Sequence, residues 1–536
     1  MTTREHSRRD RAMNRITRRT LTVAAALVIM GQTGCTDTTE LPITTITDTN
    51  YFDDPSSYRA FLAKLYAGLA VSGQQGPAGN GDIKGIDEGF SQYLRLYWEA
   101  QELPTDEAVI AWLDVGLPEL NTQLWSASNA FLISMYYRVA FQVSQVNEFL
   151  RQTTDPVLAG RNVSPELAAS IQVFRAEARF LRALSYWHGI DLFGNIPLVT
   201  EADPISLVPP QQSTRQAIFD FLVSELTAMQ TDLPAAAGPA TYGRATKEAA
   251  AMLLAKLYLN GQVYTGTPYF AQALAAAQQV IAGPFSLDPS YRHLFQADNN
   301  TSPEIIFPIV QDGKRTVTWG GSTFLIHASC GGSMNPADLG VDGCWWGLRL
   351  KKEAYTNSLG DPRGSFFWTA GQTEDVTTIT DFTKGVAAPK FMNKTAAGIA
   401  GSNGTHPDTD FPMFRLGDAY LIYAEAQLRG GGGDRPTALG YVNALRQRAY
   451  GNTSGDIADA TLTLPFILNE RGRELLWEAH RRTDLIRFGL FTGGAYLWQW
   501  KGGAAAGTTT DTFRDLYPLP GSELVANPNL SQNPGY

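Results

Sequence analysis

Amphipathic helices that arrive in pairs are the strongest constraint this chain places on its own folding. Ser164, followed by Pro165 at the first helical position, opens a run in which Leu167, Ile171, Phe174, Ala178, Leu181 and Trp187 recur at helical spacing. Such a stripe has to be buried against a neighbour. Thr214 opens a second run, with Ile218, Leu222, Leu226, Met229 and Leu233 on one side and Pro234 closing it. Two helical hairpins follow, Thr246 to Asn260 with Tyr269 to Ala282, and Leu416 to Leu428 with Pro436 to Ala449, each joined by a glycine-bearing turn. Small residues at Ala255, Ala273, Ala277, Ala424, Ala426 and Ala438 permit the close helix contacts of tetratricopeptide hairpins. A last helix spans roughly Leu464 to Ala479. Its polar side carries Glu470, Arg471, Glu474, Glu478 and Arg481, which read as a solvated or salt-bridged structural face in preference to a catalytic carboxylate pair.

The first 34 residues read as an address, not as part of the fold. Seven arginines lie within Met1 to Arg19, and an apolar run from Leu21 to Met30 follows, too short to span a bilayer. The run meets Gly31-Gln32-Thr33-Gly34-Cys35, where small residues before a cysteine resemble a bacterial lipobox, although Gln32 stands where a branched apolar residue is usual. Cys35 is then the lipid-attachment residue of a chain anchored to a membrane. The alternative is an ordinary secretory signal cut near Gly34, and Arg18-Arg19 also fits a twin-arginine signal. Cys330 and Cys344, 14 positions apart, are left as either a disulfide of an oxidising compartment or two free thiols.

The chain carries 43 basic and 52 acidic side chains, a net charge of −9, and removal of residues 1–34 takes away seven arginines against two acids. An acidic exported chain is a poor partner for nucleic acid, which needs a basic face. Two stretches, 73–125 and 301–410, are rich in Gly, Pro, Asp, Asn and aromatics and lack sustained periodicity. Loops of that length inside an apolar chain are usually functional. No two of the six histidines have the spacing of a helical zinc site, and Gly-x-Ser-x-Gly, P-loop and Cys-x-x-Cys motifs are missing. Carboxylate pairs such as Asp87-Glu88 and Asp106-Glu107 keep a glycoside hydrolase open as an alternative. What remains are rings among polar loop residues: Tyr93, Trp98, Trp112 and Trp125 in the first stretch, Trp319, Trp345, Trp346 and Trp368 in the second. A flat ring suits the apolar face of a pyranose, while neighbouring carboxylate and guanidinium groups suit its hydroxyls. Each ring alone serves equally well as filling for a small core.

Five blocks together resemble the SusD/RagB family: FRAEARFLRALSYWHGIDLFGNIPLV (Phe174 to Val199), GRATKEAAAMLLAKLYLNGQVYTG (Gly243 to Gly266), FPMFRLGDAYLIYAEAQLRGG (Phe411 to Gly431), ERGRELLWEAHRRTDLIRFG (Glu470 to Gly489) and the terminal NPNLSQNPGY. The segments QELPTDEAVIAW (Gln101 to Trp112), WGGSTFLI (Trp319 to Ile326) and YLWQWKGGA (Tyr496 to Ala504) are similar to the starch-binding branch of that family. The resemblance implies a mainly α fold with tetratricopeptide-like hairpins and a large loop-rich binding region. Its single domain covers 35–536, with the helical scaffold mainly in 130–295 and 411–490. It further implies capture of starch or maltooligosaccharide without cleavage, and delivery to a SusC-like TonB-dependent transporter. The protein would then be lipid-anchored in the outer membrane and face the cell exterior. No cofactor is implied, and a structural calcium is left open. A transporter lid for a different glycan or a peptide is the alternative.

Carried over position by position, the resemblance puts glucan contacts at Asp87, Arg95 and Trp112 and, more than 200 residues away, at Trp319 and Trp345, with Trp346 the competing alignment for the last. An asparagine of the family falls near Asp114 or Val115. Trp112, Trp319 and Trp345 would form an arc fitting a helical α-1,4-glucan, with Asp87 and Arg95 on hydroxyl groups. The bland alternative for Asp87 and Arg95 is an ion pair bracing the loop.

Overall fold

A computed structural model describes residues 50–77 and 79–536. The leader and Cys35 lie outside the described residues. The chain divides into two units, Met1–Ser57 and Tyr58–Tyr536. In the first, a 3-10 turn at Tyr51–Asp53 sets the Tyr51 and Phe52 rings edge to face at 4.9 Å. All that follows concerns the second.

Its scaffold is a row of helices in sequence order: α1 (Ala130–Gln152), α2 (Pro165–Phe193), α3 (Arg215–Met229), α4 (Lys247–Leu259), α5 (Phe270–Ile281), α6 (Leu416–Leu428) and α7 (Arg435–Tyr450). Each packs on the next. The expected starts at Ser164, Thr214 and Thr246 fall where a side chain satisfies an otherwise unpaired N–H of the first turn, and the helix expected from Pro436 begins one residue earlier behind an Asp434 cap. Ser164 accepts from Leu167 N, Thr214 from Ala217 N, Thr246 from Ala249 N and Asp434 from Thr437 N. Ala255, Ala273, Ala277, Ala424, Ala426 and Ala438 are fully buried at these contacts, as close helix approach requires. The first hairpin differs from expectation in one respect, because a short helix, Gly261–Thr265, fills its turn. Among the described residues no helix is long and apolar enough to cross a membrane.

The last helix is shorter than the sequence suggests. It ends at Glu474, and Trp477 and Ala479 then take left-handed backbone angles, φ +60° and +63°. That reversal folds the acidic residues inward, so the polar face is salt-bridged and buried instead of solvated. Arg415 donates to Glu304 (2.8 Å), Glu474 (2.7 Å) and Glu478 (2.6 Å), and Arg363 to Asp361, Glu470 and Glu474. Burial alone would push the Glu474 carboxyl up, but Arg448, Arg415 and Arg363 hold it well below the carboxylate range.

The described residues form three two-stranded antiparallel ribbons: β1 (Val109–Ile110) with β5 (Leu348–Arg349), which joins the two loop-rich stretches, β2 (Ile196–Pro197) with β3 (Gln212–Ser213) in the connection from α2 to α3, and β4 (Ile305–Ile309) with β6 (Phe411–Arg415), which leads into α6. Strands β4 and β6 are buried at every residue and clamp the two ends of the 301–410 stretch together. The first loop-rich stretch also contains a helix, Tyr93–Glu102, buried at all ten positions.

Candidate functional site

The β1–β5 ribbon joins residues more than 200 positions apart in the chain. Val109 pairs with Arg349 and Ile110 with Leu348, and Ala111 N–H donates to Gly347 O at 3.0 Å. Trp112 therefore leaves the ribbon beside Trp345. Its indole N–H donates to Trp345 O at 3.0 Å, and the two ring centroids lie 6.2 Å apart. Two buried side chains hold the ribbon from behind. Asn121 bonds both the N–H and the C=O of Ile110 (3.1 and 3.0 Å), and the Lys351 ammonium donates to the carbonyls of Leu103 and Thr105. Burial pushes that ammonium down to about 7.

The second tryptophan pair is placed by a helix end. Helix Gly321–Ser329 leaves carbonyls without intrahelical partners, as every helix C-terminus does. Trp345 N–H donates to His327 O (2.8 Å), Gly347 N–H to Ala328 O (2.8 Å), and Trp346 N–H to Cys330 O just beyond the helix (2.9 Å). The sulfurs of Cys330 and Cys344 are joined, which resolves the two readings of these cysteines in favour of a disulfide. The buried His327 imidazole stacks under Trp345, centroids 4.6 Å apart and planes 19° apart, with its ring nitrogens 2.7 Å from Gly343 O and 2.9 Å from Thr405 O.

Trp319 stands at the other end of the same helix. Its ring lies 5.9 Å from Trp345 and 5.0 Å from His406, whose Nδ1 is 3.1 Å from Thr318 O. Gln92 fixes this corner: one side-chain oxygen accepts from Arg95 N (2.6 Å), capping helix Tyr93–Glu102, and from Gly321 N (3.0 Å). A β-carbon at position 320 would fall 2.4 Å from Gln92 Cβ, so only glycine permits that approach.

The structure thus brings Trp112, Trp345 and Trp319 into one half-buried arc, with neighbouring planes turned by 47° and 62°. Asp87 is exposed nearby and accepts from Gly89 N (2.8 Å), and a β-carbon on Gly89 would lie 3.3 Å from the Trp319 ring. Arg95 is placed behind the rings, 3% exposed. Its ion pair is with Glu99 (2.9 Å), not Asp87, and its Nη1 donates to Gly89 O (3.1 Å) and Trp319 O (3.3 Å). The guanidinium also lies over the Phe324 and Trp112 rings. Arg95 therefore braces the two backbones that carry Asp87 and Trp319. Burial pushes the Glu99 carboxyl up to about 7, with Arg95 pulling it down and the half-buried Asp114 adding to the rise. Trp346 points elsewhere: it is 48% exposed and its ring meets Phe382 at 5.7 Å.

Tyr93, Trp98 and Trp125 are core residues, each at most 2% exposed, and Trp368 donates its indole N–H to Ser333 Oγ. Sequence reasoning did not single out Gln92, Glu99, His327, His406 or Gly347. Only Glu99 carried a signal, its spacing of four residues from Arg95 on a helix. Away from the arc, a concavity of about 430 Å³ lies between α1, α2 and the C-terminal residues Glu523 to Asn527. Its Tyr186, Asn147 and Arg151 are already bonded to backbone carbonyls of residues 199–203, which leaves a mainly apolar wall. Among the described residues no three His, Cys, Asp or Glu side chains converge as metal ligands would.

Comparison with known proteins shows the family and the fold. A model of the SusD family matches residues 316–536, and a second, described as starch-binding associating with outer membrane, matches 114–259. The chain is 35% identical over 531 residues to the starch-binding protein SusD of Bacteroides thetaiotaomicron, covering 89% of this chain and 91% of that one. Among solved structures, a SusD superfamily protein from Parabacteroides distasonis matches with a TM-score of 0.69 at 20% identity, covering 92% of this chain and all of that one. Surface glycan-binding protein A from Bacteroides thetaiotaomicron, solved with laminarihexaose, matches with a TM-score of 0.67 at 19% identity, over 89% and 98% of the two chains.

Proposed function

The chain belongs to the SusD family of non-catalytic glycan-binding proteins, and from that premise we propose that it captures α-1,4-glucan, starch or maltooligosaccharide, at the cell surface. The observation that carries the reading is the curved arc of Trp112, Trp345 and Trp319. Rings turned by 47° and 62° from one to the next offer stacking faces to a ligand that itself curves, as a helical α-1,4-glucan does, whereas a flat ribbon of sugars would meet one face at a time. The arc occupies the positions carried over from the starch binder, to which the chain is 35% identical. Asp87, exposed beside Trp319, supplies a carboxylate for hydroxyl groups. Arg95 contributes by holding the loops.

The same reading makes residues 1–34 a lipoprotein signal, Cys35 the lipid-bearing residue and 35–536 one glycan-binding domain. It places the protein on the outer face of the outer membrane, over a SusC-like TonB-dependent transporter that takes the captured glucan inward. Isothermal titration of the purified chain with maltoheptaose, laminarihexaose and cellohexaose tests the glycan. Heat with maltoheptaose, largely lost in Trp319→Ala, and no new reducing ends on incubation, is the expected result. A chain silent to maltoheptaose but responsive to laminarihexaose would replace the α-glucan reading with a β-glucan one.

A further inference from the structure

Trp346 is held in a way that neither packing nor the aromatic arc accounts for. Its backbone is left-handed, φ +55°, a conformation that disfavours any residue with a β-carbon and a bulky aromatic most of all. The strain is fixed in place by the Trp346 N–H bond to Cys330 O, by the Cys330–Cys344 disulfide, and by the flanking N–H bonds of Trp345 and Gly347 to the helix end. The left-handed turn sends consecutive side chains apart. Trp345 joins His327, Trp112 and Trp319, while Trp346 meets Phe382 of another loop, tilted by 58°. Phe382 is itself only 4% exposed and is closed from another side by Gly331, where a β-carbon would fall 2.6 Å from the ring. The result is a tryptophan tilted against one buried ring, with nearly half its surface in water. Backbone strain of this kind persists only where the surroundings over-determine it and gathers at ligand clamps, and here it holds an indole in the open.

We propose that Trp346 is a second sugar-stacking platform, distinct from the arc, which takes a further glucose unit of the same α-glucan once the chain outruns the three rings. The inference rests on the α-glucan reading of the arc. Because the platform and the arc are joined through one rigid peptide, a ligand long enough to reach both binds the second without a new encounter.

The test compares Trp346→Gly with Trp319→Ala in titrations with maltotriose and with an amylose fraction long enough to span both sites. Glycine relieves the left-handed strain but gives up the contact with Phe382, so a thermal melt fixes a titration temperature at which both variants are folded. Trp346→Gly should keep maltotriose affinity within about twofold and weaken amylose about three- to tenfold. Trp319→Ala should weaken both ligands. Unchanged amylose affinity in Trp346→Gly, or an equal loss for both ligands, overturns the second platform while leaving the arc in place. A parent protein that binds neither ligand overturns both readings and is recognised by that silence.

Discussion

Replacing Gly347 by alanine should bend the aromatic arc without removing a ring. A β-carbon there would sit 2.9 Å from two atoms of the Trp112 ring and 3.2 Å from Ala328 Cβ, where ordinary contact begins at 3.4 Å. The backbone angles at 347 are ordinary, so alanine meets only the steric clash. The flank toward Ala328 is closed by the helix and by the Gly347 N–H bond, so the ring is what moves, by about half an ångström or more. Its indole N–H bond to Trp345 O, 3.0 Å, lengthens with it. A pyranose face covering on the order of 60 Å² of indole is worth about 1.5 kcal/mol at about 25 cal/mol per Å². A gap of roughly 0.5–1 Å forfeits about a quarter to a half of the dispersion contact. With the weakened tie to Trp345, the loss should reach about 0.5–1 kcal/mol, a two- to fivefold rise in Kd. Titration with maltoheptaose beside a thermal melt separates binding from folding. Parental affinity in Gly347→Ala would refute the claim that the relative placement of Trp112 and Trp345 matters, as would an affinity loss that merely follows the fraction unfolded.

Three further outcomes follow from the buried charges and the disulfide. Arg415→Leu leaves Glu304, Glu474 and Glu478 without their shared cation and should cost about 3–5 kcal/mol of stability in denaturant titration; a loss under about 1 kcal/mol would mean that Arg448 and Lys390 suffice. Glu99 has a folded value of about 7 against an ordinary 4.5, so the stability it contributes is complete below about pH 4.5 and lost as pH rises through 7. Parent minus Glu99→Gln stability should therefore fall by about 2–3 kcal/mol between pH 5 and pH 8, and a pH-independent difference would contradict the burial argument. The double variant Cys330→Ser, Cys344→Ser opens a loop of 14 positions and should lower stability by up to about 3 kcal/mol while weakening glucan binding; unchanged binding would show that the helix-end bonds alone place Trp345.

The helical half of the molecule was legible because its signals are local. Ser164, Thr214 and Thr246 cap the helices they announce, since a cap and the stripe behind it lie within a few residues of one another. The last helix escaped in part: its inward turn at Trp477 and Ala479 answers to Arg415 and Lys390, which come from other segments of the chain. The helix Tyr93–Glu102 buries its charged stripe, Arg95 and Glu99, along with its apolar one, so the burial of Tyr93 and Trp98 did not follow from local spacing. The arc itself depends on a ribbon of two residues per strand, too short to show alternation, and on a helix end that fixes Trp345. The resemblance supplied the residues of that arc, but not that Arg95 turns inward to Glu99 or that Trp345 and Trp346 face apart.

On the proposed function, three rings gathered from distant loops recognise the curvature of an α-1,4-glucan. Isothermal titration of the parent chain against maltoheptaose, with cellohexaose at the same concentration as the flat comparator, tests it directly. The expected result is heat with maltoheptaose, none with cellohexaose, and loss of the maltoheptaose signal in Trp319→Ala. Equal heats for the two sugars, or maltoheptaose binding untouched by Trp319→Ala, would contradict it.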